Sequence, residues 1–183
     1  MSNIDLVRAI TDAKLPLELV DEKLLEQLKA RKHTYVGARQ LKSGPDLLIS
    51  EGFARCQGIS FLNGKDIGAL AHNYSTHDPY YALTGAWTGG EYHLEDPRAI
   101  FRDLGEVLAV HVYHEGCHSW PQCWVEGALE RIGITNVVHI PIKSKEPGKV
   151  FWRDIVQDVK EGSVYVFPRD FGCGIKYQPD RTR

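Results

Sequence analysis

With only four cysteines in 183 residues (Cys56, Cys117, Cys123 and Cys173), the chain lacks the disulfide framework of a small secreted scaffold. At this length a core can form without one, so the thiols are expected to be free in a reducing compartment. Positive charge is not in excess either: 22 Lys and Arg face 24 Asp and Glu, for a formal net charge of −2. The basic surface that a nucleic-acid partner would require is therefore not expected. No apolar run approaches the ~18 residues of a membrane span. Residues 1–14 carry neither the basic n-region nor the apolar h-region of a secretory signal. These absences point away from membrane and nucleic acid and toward a cytoplasmic protein. What is present is ordinary: 43% hydrophobic and 25% charged residues, in a length suited to one soluble domain.

Periodicity divides the chain. Residues 4–14 and 17–32 read as helices, the second from Leu17, Val20, Leu24, Leu25 and Leu28 at i, i+3/i+4 spacing, with Pro16 as the break. Arg39 to Pro45 reads as a polar connector. From Asp46 the period becomes two, giving strands over Leu47–Ser50, Arg55–Leu62 and Ile67–Asn73. A long aromatic- and glycine-containing loop, Tyr74 to Glu95, follows. Helices are expected over 97–105 and 120–132, and strands over Val107–Tyr113, Val137–Ile142 and Val164–Phe167. Val150–Val159 fits either state. The sum is an α+β fold, a single layered domain with a mixed β-sheet flanked by helices. Residues 1–45 read as an N-terminal helical extension and 46–183 as one compact unit.

The segment from Ser50 to His72 carries the chemistry. If it folds as a hairpin turning at Asn63–Lys65, Ile59 opposes Ala69 and Phe61 opposes Ile67, which builds one apolar face. Cys56 then opposes His72 on the other face, where a thiol can reach an imidazole. A neighbouring imidazolium would depress the thiol pKa, and the same histidine can protonate a departing amine. Gly58 would keep that face open to a substrate carbonyl, and Ser50, turned back through Gly52, would orient the imidazole. Tyr74 and Trp87, in the long loop, are the further candidates for substrate contact.

These residues resemble the catalytic stretch of the chemoreceptor glutamine deamidases, the CheD family. More distantly they are similar to the cysteine–histidine deamidase fold shared with cytotoxic necrotizing factor toxins. The family's threonine six residues before the nucleophile is matched by Ser50, the nucleophile by Cys56, and its Gly-Ala-Met-Ala-His-like run by Gly68-Ala69-Leu70-Ala71-His72. Val125 to Ile134 is a weaker echo of the family's helix-then-strand segment. The usual Gly-Ser before the cysteine is Ala54-Arg55 here, and the extension through residue 45 is foreign to short members. The resemblance implies cofactor-free, cysteine-dependent hydrolysis of a side-chain amide, glutamine to glutamate, in a protein partner. It leaves open whether that partner belongs to the producing cell or to a host cytosol.

A rival constellation runs from His111 to Cys123. His111, His114, Cys117, His118 and Cys123 are all residue types that suit Zn²⁺, although their spacing fits no standard zinc template and no CxxC pair is present. A zinc-binding interaction module built on this cluster is the alternative function. A catalytically silent binding member of the same fold is a third.

Overall fold

The computed structural model describes residues 2–54, 56–64, 66–73, 93–94, 97–115, 122–146, 149 and 152–180. In chain order the elements are α1 (Asn3–Ile10), β1 (Leu17–Asp21), α2 (Lys23–Lys29), β2 (His33–Tyr35), β3 (Gln40–Gly44), β4 (Leu47–Phe53), β5 (Gln57–Leu62), β6 (Gly68–Asn73) and β7 (His93–Leu94). They continue with α3 (Pro97–Leu104), β8 (Leu108–His114), α4 (Gln122–Arg131), β9 (Asn136–Ile142), β10 (Arg153–Asp158), β11 (Ser163–Pro168) and β12 (Cys173–Tyr177). The strands form two mixed six-stranded sheets, ordered β1-β12-β11-β10-β4-β2 and β7-β3-β6-β5-β8-β9. The fold is α+β, and mostly sheet.

Strand alternation sends each sheet's side chains to two different cores. Leu48, Ile155, Val166 and Ile175 of the first sheet meet Leu70, Val110, Val112 and Ile140 of the second in a shared interior. On its far side the second sheet packs Ile59, Phe61, Ala69 and Ala71 against Ile100 and Leu104 of α3 and Val125 and Leu129 of α4. The first sheet packs Ile49, Val156 and Phe167 against Leu25 and Leu28 of α2. The order of layers is helix, sheet, sheet, helix. Between Phe53, which ends β4, and Gln57, which opens β5, the chain passes from one sheet to the other.

The N-terminal reading needs correction. Residues 17–32 are not one helix, because Leu17–Asp21 is a strand paired antiparallel with β12. Leu17 and Leu19 alternate with the exposed Glu18, a two-residue period hidden inside the i, i+3/i+4 pattern of the longer window. Strands β2 and β3 also fall within residues 1–45 and pair with β4 and β6, so this region supplies both sheets instead of forming a helical extension. The ambiguous Val150–Val159 holds β10, and Cys173-Gly174 opens β12.

Between the two sheets at Gly58, a side chain has no room. A Cβ at Gly58 would lie 2.2 Å from Ile155 Cδ1 and 3.2 Å from Phe53. Gly58→Ala is expected to destabilise the fold by about 1–3 kcal/mol through overpacking. Ile155→Val removes the clashing methyl, so the double variant should be more stable in urea than Gly58→Ala alone. Simple additivity of the two losses would show that the contact is not the cause.

Candidate active site

Strand β4 contains an irregularity that builds the site. Between Ser50↔Ile155 and Phe53↔Arg153, β4 spends one more residue than β10, which makes a β-bulge. Gly52 sits in it at φ 76°, a backbone conformation that suits glycine, and its N–H donates to the buried Asp154 carboxylate at 2.9 Å. The extra residue re-phases the strand. Ser50 and Phe53, three apart, are both fully buried, and both meet His72.

His72 reaches them from the other sheet. Its ring stacks on Phe53 with centroids 3.7 Å apart. Ser50 Oγ–H donates to the Val36 carbonyl at 2.5 Å, and the same oxygen lies 2.9 Å from His72 Nδ1. Serine has one hydroxyl proton, and the Val36 contact uses it. Toward the imidazole Ser50 can then only accept, so Nδ1 carries the hydrogen and Nε2 keeps its lone pair. Nε2 is buried and makes no hydrogen bond among the described residues.

The hairpin keeps the expected faces but not the expected register. Gly58 opposes His72, Ile59 opposes Ala71 and Phe61 opposes Ala69, a shift of two positions from the pairing read in the sequence. A five-residue connection, 63–67, replaces the shorter turn. An even shift leaves every side chain on its face. Cys56 therefore lies in the interior shared by the two sheets, but it does not oppose His72: it stands just before β5, two residues ahead of Gly58, which does. It is 7% exposed.

The thiol's chemistry also differs from expectation. Burial pushes the Cys56 pKa up, and the Arg153 and Arg39 guanidiniums only partly oppose this. Burial, reinforced by Arg153, drops His72 to about 3. At neutral pH both groups are uncharged, a thiol and a neutral imidazole and not a thiolate and an imidazolium.

Gly58 does not leave an open face for substrate, because Ile155 and Phe53 fill the space in front of it. Tyr74 and Trp87 lie outside the described residues, as do Cys117 and His118. Cys123 falls in α4, but its side chain lies outside them as well. Of the zinc candidates, His111 and His114 are described. Three positions apart on β8, they lie on opposite faces of the strand. His111 lies under the helical layer, with Nε2 2.7 Å from Gln57 Oε1 and Nδ1 3.0 Å from His139 Nδ1. His139 Nε2 in turn lies 3.0 Å from Glu126 Oε1. Among the described residues no group of three or more His, Cys, Asp or Glu is placed to hold a metal ion.

Neither a protein-family model nor a curated protein matches the chain. Any functional reading therefore stands on its own residues. Three of these, Arg153, Phe53 and Val36, are not singled out by the sequence. Each acts through contact between segments distant in the chain, and no spacing rule reports such contacts. The nearest signal for Arg153 is an arginine inside an apolar strand-compatible stretch, where a charge is seldom buried without a task.

Proposed function

We propose that the protein is a cysteine-dependent amidohydrolase of the CheD-like kind, converting glutamine side chains of a protein partner to glutamate. The observation that carries this reading is the Val36–Ser50–His72 hydrogen-bond chain, which holds the imidazole as the tautomer a general base requires. Ser50 also precedes Cys56 by six residues, as in that family, and His72 follows it at a similar spacing. Of the His111–Cys123 cluster, the two described side chains, His111 and His114, lie on opposite faces of β8.

In the proposed reaction His72 Nε2 takes the Cys56 thiol proton as sulfur attacks the amide carbon. Collapse of the tetrahedral intermediate returns that proton to the leaving nitrogen, which departs as ammonia and leaves a thioester. Water, deprotonated by the same imidazole, then cleaves the thioester to glutamate and regenerates the thiol. Ser50 and Val36 fix the ring through both steps. The chain's own residues suffice for each proton transfer.

The test compares wild-type protein with Cys56→Ser on cell lysate, followed by mass spectrometry for glutamine-to-glutamate conversion. Conversion by wild type alone is expected, with at least a ~10³-fold loss in the variant because serine does not readily form the anion. Equal conversion by both proteins would sink the proposal.

A further inference from the structure

The geometry assigns Arg153 as the positioning residue of the Cys56 nucleophile: its guanidinium holds the main chain at Phe53, Ala54 and Cys56 and supplies positive charge beside the thiol. This rests on the amidohydrolase reading and adds to it the residue that sets the nucleophile's place.

Arg153 is the largest fully buried side chain among the described residues. Its Nη2 donates to the Cys56 carbonyl at 2.6 Å, and its Nη1 to the carbonyls of Phe53 and Ala54 at 3.4 Å each. Phe53 ends β4 in one sheet and Cys56 stands just before β5 in the other, so the three carbonyls lie where the chain leaves one sheet and enters the next. A planar fork of five fixed donors can span them, whereas a lysine ammonium could not hold the same set. The guanidinium also lies 5.8 Å from the Phe53 ring centroid, and the Phe53 ring stacks on His72. One cation therefore contacts the main chain of the nucleophile and the aromatic platform of the base. The adjacent Asp154 carboxylate is occupied elsewhere, by Arg169 and the Gly52 N–H.

The charge has a direction of action. A cation beside a buried thiol favours the thiolate, and a cation beside a buried imidazole disfavours the imidazolium. Arg153 does both here, and at Cys56 it opposes the effect of burial. Placement matters as much as charge, because a nucleophile displaced by about 1 Å can lose on the order of 10² in rate.

The two contributions separate experimentally by alkylating Cys56 with iodoacetamide across pH and reading the labelled peptide by mass spectrometry. Circular dichroism checks that each variant is folded. Arg153→Met should raise the midpoint of the profile by about one pH unit or more. Arg153→Lys keeps the charge and should keep the midpoint near wild type, while the plateau rate changes severalfold because the main chain there is no longer held by a fork. Arg39→Met, which removes a charge but leaves the Arg153 fork in place, should raise the midpoint and leave the plateau unchanged.

If Arg153→Met fails to fold, Arg153→Lys and Arg39→Met decide the matter. A wild-type midpoint in folded Arg153→Met, or a wild-type plateau in Arg153→Lys, overturns the assignment. Alkylation needs no amide substrate, so that outcome leaves the amidohydrolase reading standing. Conversely, failure to find glutamine conversion would leave the Arg153 result intact.

Discussion

His72→Gln is expected to lower glutamine conversion by about 10²–10⁴-fold, the range over which a positioned acid–base group acts. Glutamine approximates the volume of the ring but carries no titratable nitrogen, so the effect can be read apart from loss of fold. The double variant with Cys56→Ser should be no slower than Cys56→Ser alone, because nucleophile and base act as a unit. Ser50→Ala should be milder, about tenfold to a hundredfold, since it frees the tautomer without removing the base. The ordering discriminates between mechanisms. If His72→Gln retained wild-type turnover on a substrate that depends on Cys56, another group would have to accept the thiol proton. A Ser50→Ala variant at full rate would mean that the Val36–Ser50 chain is structural only.

A second large effect is expected in stability against pH. His72, His111 and His114 are all held below the ordinary histidine pKa of 6.5, in each case chiefly by burial, with Arg153 adding to the shift. For His111 the neighbouring His139 contributes more than Arg153 does. Below pH 6.5 the unfolded chain takes up protons that the folded chain refuses, so stability rises with pH across this window. The histidine contribution is complete above 6.5 and is lost as pH falls toward the folded values, about 3 for His72. Each histidine can change the folding equilibrium by up to about tenfold per pH unit, and three acting together by up to about a thousandfold. The urea midpoint should therefore fall steeply between about pH 7 and 5, before carboxylates titrate. His111→Gln should flatten that slope by one proton's worth. A midpoint constant across the interval would mean that the histidines are hydrated or protonated in the fold. If the slope is as expected, the acid limit of activity coincides with unfolding rather than with titration of the base.

Much of the site is legible in the sequence because its logic is local. Within the hairpin, the Gln57–Leu62 and Gly68–Asn73 runs determine which side chains share a face, and strand alternation preserves that through any even shift. The register itself is not legible, since it depends on whether the turn spans three residues or five, and Asn63-Gly64 suits either. Residues 17–21 read as helix because five residues of alternation lie within a window that also satisfies a helical period, and pairing with β12 decides the outcome. Strand β3 is hidden by composition: only Leu41 is buried in Gln40–Gly44, so its pairing with β6 leaves almost no hydrophobic pattern. The aromatic stack and the Arg153 fork lie beyond sequence reasoning for a common reason. Both join β4 or β10 to the opposite sheet, and such contacts have no fixed separation along the chain.

The division of Ser50 and His72 between two sheets has a consequence for the order of events during folding. The 57–73 hairpin closes a short loop and can form early, whereas docking the sheets requires strands drawn from both ends of the chain. Until that docking occurs, the imidazole has no serine to fix its tautomer, no phenylalanine beneath its ring and no burial to hold it neutral. A nascent or partly folded chain therefore carries an ordinary cysteine and an ordinary histidine. Both environments form only when the sheets dock, so protection of the Cys56 thiol from alkylation after dilution from denaturant should trail the recovery of β-structure.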